Sequence, residues 1–181
     1  LSAIESREPR QHSGLNPRPS LTLSLGFPRR VRDNSRDEPM RVSSASATDT
    51  GLQRSVNEDD LSVREDLGLF VVADGMGGHA AGEVASKTAI EGIVAFVEAT
   101  VSVSSDQTWP FAFNPELSTN GNRLDAGFRM GNRKLSTKIS EASELSGMAT
   151  TAVAVLIDGE KGTIAHVGDS RIYRLRRGTL E

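Results

Sequence analysis

Residues 67–80 read Leu-Gly-Leu-Phe-Val-Val-Ala-Asp-Gly-Met-Gly-Gly-His-Ala. The run Leu67–Ala73 is short, apolar and rich in β-branched residues, which predicts a buried strand that ends at Asp74. The glycines after Asp74 allow a sharp turn. Apolar residues at near-helical spacing then predict an amphipathic helix from Ala80 to Ala99.

The flanking sequence supplies further elements of the same predicted fold. A β segment around Val63 precedes this unit, and an irregular loop is predicted from Ser102 to Asn122. A second helix is predicted from Leu124 to Ala142, with three strands after it at Thr150–Ile157, Thr163–Val167 and Ile172–Arg176. The order β, β, α, α, β, β, β lacks the alternation of a parallel doubly wound sheet. It predicts an α+β fold in which two helices cover one face of an antiparallel sheet.

The composition excludes several classes of protein. The chain has 181 residues and no cysteine, so disulfides, thiolate metal sites and cysteine nucleophiles are excluded. No apolar run approaches the roughly 20 residues that span a bilayer, and no signal-peptide pattern is present. A net charge of −3 without a basic stripe disfavours nucleic acid as a partner. We therefore expect a cytoplasmic protein that binds neither membrane nor nucleic acid.

The composition changes near Met40. Residues 1–40 hold five of the seven prolines and seven arginines, without helical or strand periodicity. This composition predicts disorder over 1–40, and we interpret the segment as a translated leader because the chain begins with Leu and Met40 directly precedes the first regular pattern. A basic arm that binds an acidic partner is the alternative.

Acidic residues stand near the ends of several predicted strands. Carboxylates that converge from separate strands need hard cations to neutralise them. Without cysteine, and with few histidines, the ligands would be oxygen atoms and the ion Mg²⁺ or Mn²⁺. Asp74 is placed to bridge two ions, and Gly75 lets its own carbonyl approach one of them. Arg54 offers a planar fork for phosphate oxygens. The acidic clusters are Asn57-Glu58-Asp59-Asp60, Asp74-Gly75 and Gly168-Asp169-Ser170-Arg171.

Three ordered motifs carry a specific resemblance. They are Arg54-Ser-Val-Asn-Glu-Asp59, Val72-Ala-Asp-Gly-Met-Gly-Gly-His79 and Val167-Gly-Asp-Ser-Arg171. Together they resemble the motifs of the bacterial-style type-2C metal-dependent serine/threonine protein phosphatases, and the likeness covers roughly residues 45 to 177. It implies that residues 41–181 are the N-terminal part of such a domain, a partial α/β-β/α sandwich with antiparallel sheets flanked by helices.

The resemblance also implies roles for single residues. Asp74 resembles the bridging metal ligand and catalytic residue, Gly75 the carbonyl ligand, and Asp59 a carboxylate that holds a metal largely through water. Arg54 resembles the catalytic, phosphate-binding arginine, and Asp169 a ligand of an additional, weakly held metal. Glu58 is implied only as a residue that supports the metal ligands without touching the ion.

The function implied by the resemblance is hydrolysis of phosphoserine and phosphothreonine in proteins by a metal-activated water. Two or three Mn²⁺ or Mg²⁺ ions would serve as cofactors. The implied partners are phosphoprotein substrates and an opposing serine/threonine kinase in signalling, and we expect a monomer.

The chain also departs from the family pattern. Family members continue beyond the point that corresponds to Glu181 and supply two more metal-binding aspartates, so we expect a fold that is incomplete at its C-terminal end. An impaired pseudophosphatase that binds phosphoproteins without turnover is therefore an alternative. Met76 stands where some members carry a histidine proposed as general acid.

Two structural alternatives follow from the same motifs. Asp169 could pair with Arg171 as a purely structural carboxylate. The run Gly75-Met-Gly-Gly-His-Ala80 also fits the looser dinucleotide fingerprint, although Asp74 would then place a carboxylate beside a pyrophosphate.

Overall fold

The computed structural model describes residues 41–77, 81–102 and 109–181, and its centre is one antiparallel sheet. The predicted leader over 1–40 lies outside the described residues. The strands of the sheet are β1 (Asp59–Arg64), β2 (Leu69–Met76), β3 (Ala149–Thr150), β4 (Ala152–Asp158) and β5 (Lys161–Val167). They lie in the order β1-β2-β4-β5, and β3 also pairs with β2. Every pairing within the sheet is antiparallel.

Two helices cover one face of this sheet. They are α1 (Ala81–Val101) and α2 (Thr119–Glu141). Because side chains alternate along a strand, Leu69, Val71 and Ala73 share one face of β2, and each is fully buried. They pack with Ile93 of α1 and Leu124 of α2 in the main core. The predicted arrangement of two helices on one face of an antiparallel sheet is therefore confirmed.

The opposite face of the sheet leads to the acidic residues. Phe70, Val155 and Ile157 form a second buried cluster there, against which Val63 packs. Since every second residue of a strand shares a face, this face continues along β2 to Asp74 and along β1 to Asp59. The candidate metal ligands thus stand at the end of an apolar face that points away from the helices.

Glycines allow α1 and α2 to approach closely. A Cβ atom added at Gly92 would lie 2.5 Å from the Cα atom of Gly131, and one added at Gly131 would lie 2.9 Å from the Ala89 carbonyl oxygen. Only hydrogen atoms fit at this crossing, so the two helices bury their facing backbones against each other.

Several predicted element bounds differ from the structure. Strand β2 runs through Met76, past its predicted end, because β3 pairs with it at Gly75 and Met76. Helix α2 begins at Thr119 rather than Leu124, since the Ser118 side chain accepts a hydrogen bond from the Gly121 amide.

The last predicted strand, Ile172–Arg176, is wrong in extent. Only β6 (Leu175–Arg176) is a strand, and it pairs with β7 (Thr179–Leu180) in a separate two-stranded hairpin. Arg177 and Gly178, both in the left-handed conformation, form the turn between them.

Among the helices that the structure describes, none combines the length and apolar character that crossing a bilayer requires.

Candidate metal centre

Two carboxylates face each other across the first strand pair. Asp59 of β1 lies directly opposite Asp74 of β2 in the pairing register. The Gly75 N–H donates to the Glu58 carbonyl at 3.0 Å, which makes Asp59 and Asp74 a non-hydrogen-bonded pair. Such pairs bring the two Cα atoms to about 4.5 Å and the side chains closer than in hydrogen-bonded pairs. The structure therefore brings together two of the predicted ligands from separate sequence motifs.

The electrostatics of this pair favour a bound cation. Partial burial raises the pKa of Asp59 above its ordinary value, and the Asp74 charge raises the pKa further. Arg54 acts in the opposite direction. Like charges directly opposite each other in a sheet repel, and a cation between them converts that repulsion into attraction.

Gly75 stands where no side chain fits. A Cβ atom at this position would lie 1.9 Å from the Gly82 carbonyl oxygen in the first turn of α1 and 2.7 Å from the Glu58 carbonyl oxygen. The Gly75 amide is paired with Glu58, whereas none of the described residues donates a hydrogen bond to the Gly75 carbonyl. A backbone carbonyl beside Asp74 that has no donor among the described residues is the kind of oxygen ligand that a hard cation binds.

Glu58 lies on the other side of β1 from Asp59. A Cβ atom added at Gly82 would lie 2.3 Å from the Glu58 Oε1 atom, so the carboxylate packs against the N-terminal turn of α1. The positive end of a helix dipole stabilises a carboxylate there. Arg54 donates to the Glu58 carboxylate, and its own side chain stays about half exposed. Glu58 thus fixes Arg54 next to the carboxylate pair without joining it.

Asp169 stands apart from the pair. It is exposed on the segment that follows β5, and β4 lies between β5 and β2. Within the ranges that the structure describes, no group of three or more acidic, histidine or cysteine side chains could hold a metal ion. The structure therefore joins Asp59 to Asp74 but does not bring Asp169 into their group, and its metal role stays a prediction.

The alternative role of Asp169 as a structural partner of Arg171 is not supported by an ion pair among the described residues. Arg171 donates to the Tyr173 hydroxyl at 3.3 Å. The described residues contain no ion pair between Asp169 and Arg171.

Hydroxyl groups around Asp74 were not anticipated from the sequence. The Asp74 N–H donates to Thr151 Oγ1 at 3.2 Å, and Thr150 Oγ1 donates to the Asp74 carbonyl at 3.0 Å. The sequence shows two threonines before an apolar strand. This pattern predicts hydrogen bonds to Asp74 only once β4 is known to pair with β2.

The donor set fits a hard divalent cation. Two aspartate carboxylates and one glycine carbonyl supply oxygen atoms only, and Mg²⁺ in proteins is commonly held by one or two carboxylates with several waters. The described residues around Asp74 offer neither a cysteine thiolate nor an imidazole, the ligands that zinc prefers. Asp59, Asp74 and Gly75 are therefore suited to Mg²⁺ or Mn²⁺.

The dinucleotide alternative does not survive the topology. That motif needs a parallel β-α-β unit around its glycine turn. Every strand that pairs with β2 runs antiparallel to it. His79, at the end of the glycine turn, lies outside the described residues.

A profile of the family described as protein phosphatase 2C matches residues 52–181. The chain belongs to the protein phosphatase 2C family. The recognition made from the motifs is thereby confirmed, and so is the fold class, since solved phosphatases of this kind share the antiparallel sheet and helices.

Named relatives in the protein phosphatase 2C family come from several bacteria. The chain is 39% identical over 136 residues to the serine/threonine protein phosphatase PstP of Mycobacterium tuberculosis. The aligned region covers 75% of this chain and 23% of PstP. It is 33% identical over 139 residues to the serine/threonine phosphatase stp of Listeria monocytogenes, over 74% of this chain and 50% of stp. The chain thus spans half or less of the length of these relatives.

Solved structures in the protein phosphatase 2C family give the same result. The crystal structure of M. tuberculosis PstP/Ppp matches with a TM-score of 0.59 and 37% identity, over 74% of this chain and 49% of that one. The catalytic domain of PstP in complex with two manganese ions matches with a TM-score of 0.60 and 30% identity. The match covers 89% of this chain and 54% of that one.

Proposed function

We propose that the protein hydrolyses phosphoserine and phosphothreonine in proteins, with Asp59, Asp74 and Gly75 holding part of a divalent metal centre. The observation that carries this proposal is the placement of Asp59 directly opposite Asp74, beside a Gly75 carbonyl to which no described residue donates a hydrogen bond. Family membership and the two manganese ions of the related PstP structure support Mn²⁺ or Mg²⁺ as the cofactor.

The cofactor and the chain would divide the chemistry. Bound divalent ions supply Lewis acidity that lowers the pKa of water to near neutrality and neutralises charge on the phosphoryl group. Asp74 would hold ions through its carboxylate, Gly75 through its carbonyl, and Asp59 largely through water. The tight contact of Gly75 with the first turn of α1 fixes that carbonyl rigidly, which a metal ligand needs.

Arg54 would bind the substrate phosphate. Its guanidinium is half exposed and near the carboxylate pair, and the ion pair with Glu58 restricts its rotamers before substrate arrives. A guanidinium held in this way can donate to phosphate oxygens in the ground state and in the transition state. We propose Glu58 as the residue that orients Arg54.

The test is Mn²⁺-dependent hydrolysis of an aryl phosphate and of a phosphothreonine peptide by the full-length protein. We expect Asp74→Asn to lower kcat/KM for both substrates by at least about a hundredfold, because the loss of a metal ligand removes most metal-dependent catalysis. Asp60→Asn is the matched control: the same change one residue after Asp59, at a carboxylate that accepts from the Leu61 amide instead.

Two outcomes would contradict the proposal. If the wild type and Asp74→Asn both show only the background rate, phosphoprotein binding without turnover is the surviving function. Equal losses for Asp60→Asn and Asp74→Asn would show that the assay reports general damage to β1 and β2 rather than loss of a metal ligand.

The remaining expectations about the cellular role belong to the same proposal. Phosphoproteins as substrates imply a serine/threonine kinase that adds the phosphate, and hence a role in signalling. Action as a monomer in the cytoplasm stays a prediction, which size-exclusion chromatography with light scattering and cell fractionation would test.

A further inference from the structure

The sheet changes its hydrogen bonding at one residue pair beside the metal centre. Strands β3 and β4 pair with β2 in one continuous register, in which Thr151 falls opposite Asp74. The Thr151 N–H donates to the Asp74 carbonyl at 2.9 Å, as expected for a hydrogen-bonded antiparallel pair. In the return direction the Asp74 N–H donates to the Thr151 side-chain hydroxyl at 3.2 Å instead of a backbone carbonyl.

A side chain therefore takes the place of the backbone at the candidate bridging ligand. The Thr151 carbonyl is instead contacted by Thr150 Oγ1 at 2.8 Å. Thr151 is 5% exposed, so water cannot readily replace its hydroxyl as the acceptor for the Asp74 amide.

The same hydroxyl reaches the segment that carries Asp169. Thr151 Oγ1 and Ser170 Oγ lie 2.5 Å apart. Because Thr151 Oγ1 accepts from Asp74, its own hydrogen remains available for Ser170. Gly168 begins this segment with a φ of 90°, and a Cβ atom there would lie 2.6 Å from Thr151 Cγ2. The segment is thus folded tightly against Thr151.

We propose that Thr151 is a positioning residue whose hydroxyl ties the Asp74 peptide to the Gly168–Arg171 segment, and so sets where Asp74 and Asp169 stand relative to each other. This inference rests on the proposed function, because it matters only if these carboxylates bind metal. Residues that hold a metal ligand through a hydrogen bond typically change metal affinity by 10–100-fold when removed.

The test is Mn²⁺ affinity, measured by isothermal titration calorimetry on the full-length protein at fixed pH and salt. We expect Thr151→Val to weaken Mn²⁺ binding by at least about tenfold, because valine keeps the shape but leaves the Asp74 amide unpaired. Thr151→Ser keeps the hydroxyl and should restore most of the affinity. Thr163→Val, the same change in β5, is the control and should bind Mn²⁺ as the wild type does.

Ser170→Ala gives an independent arm that does not disturb the Asp74 amide. We expect it to weaken Mn²⁺ binding less than Thr151→Val does. The Thr151→Val/Ser170→Ala double variant should bind Mn²⁺ as weakly as Thr151→Val alone, because both changes remove the same hydrogen bond between Thr151 and Ser170. If Thr151→Val does not fold, Ser170→Ala decides: weakened Mn²⁺ binding supports the inference, and unchanged binding overturns it.

A folded Thr151→Val protein with wild-type affinity, or a Thr151→Ser protein as weak as Thr151→Val, overturns the positioning role while Asp74→Asn still abolishes binding. If Asp74→Asn itself binds Mn²⁺ as tightly as the wild type, the metal centre and the positioning role are both overturned.

Discussion

Replacement of Gly75 by alanine should damage both stability and metal binding. The added Cβ atom would lie 1.9 Å from the Gly82 carbonyl oxygen and 2.7 Å from that of Glu58, and both are backbone atoms that cannot rotate away. Ordinary van der Waals contact then requires α1 and β2 to separate by about 1.5 Å. Such overpacking typically costs about 1–3 kcal/mol.

The shift matters more for metal binding than for folding. Metal–oxygen distances tolerate only about 0.2 Å, so a carbonyl displaced by a larger amount ceases to be a ligand. At about 3 kcal/mol we expect the melting temperature to fall by roughly 10 °C, with Mn²⁺ affinity reduced at temperatures where the variant is still folded. Differential scanning calorimetry and Mn²⁺ titration measure the two effects.

Gly162→Ala is the matched control for this prediction. Gly162 lies in β5 with nothing within 4 Å of an added Cβ atom and without a positive φ. Alanine there should be neutral or stabilise slightly, by less than about 1 kcal/mol. If Gly75→Ala has the same melting temperature as Gly162→Ala and binds Mn²⁺ with the affinity of the wild type, the contact of Gly75 with α1 does not position a ligand.

Three further predictions concern charge, helix packing and a buried arginine. Asp59→Asn should raise the free energy of unfolding of the metal-free protein at pH 7 by about 0.2–1 kcal/mol. Because the pKa of Asp59 is raised in the folded state, the ionisation of Asp59 lowers the stability of that state as pH rises above 3.8, the ordinary pKa of an aspartate. The stability gain of Asp59→Asn should therefore vanish in urea melts below pH 3.8. A gain that persists there would show that repulsion between the two carboxylates is not its cause. Gly92→Ala should cost about 1–3 kcal/mol, because its Cβ atom would meet Gly131 at 2.5 Å, whereas Gly127→Ala, with 3.6 Å to the nearest atom, should gain up to about 1 kcal/mol from helix propensity; equal melting temperatures would contradict the close crossing. Arg123→Lys should cost about 1–3 kcal/mol, since Arg123 is 6% exposed and its guanidinium donates to the Thr100 carbonyl at 3.0 Å, while the surface change Arg129→Lys should stay within about 0.5 kcal/mol; chemical denaturation separates the two.

The central strand and the ligands on it could be predicted from the sequence because the signals are local. An apolar run that ends in Asp74 and then in glycines predicts both a buried strand and a turn. The structure confirms the strand and extends it by the two residues that pair with β3. That extension depends on a partner more than 70 residues away, which no local pattern reveals.

The start of α2 was missed because its first turn has the composition of a loop. Asn120, Gly121 and Asn122 have poor helix propensity, and tertiary contacts outweigh that. The Ser118 side chain caps the helix, and buried Asn122 accepts from the Asn114 amide at 2.7 Å, which holds the preceding loop in place.

The hydroxyl contacts of the metal centre could not be predicted for a related reason. Thr151 and Ser170 are separated in the sequence by β4 and β5, and their contact arises only because these two strands pair antiparallel to each other. The sequence motifs identify the acidic residues. The hydroxyl groups that orient them can be identified only from the pairing of the strands.

The claim that Asp74 and Gly75 hold divalent ions is tested most directly by anomalous diffraction from crystals of the full-length protein grown with Mn²⁺. We predict an anomalous peak within about 2–2.5 Å of an Asp74 carboxylate oxygen and of the Gly75 carbonyl oxygen. Manganese bound elsewhere on the protein, with no peak beside these two residues, would contradict the account.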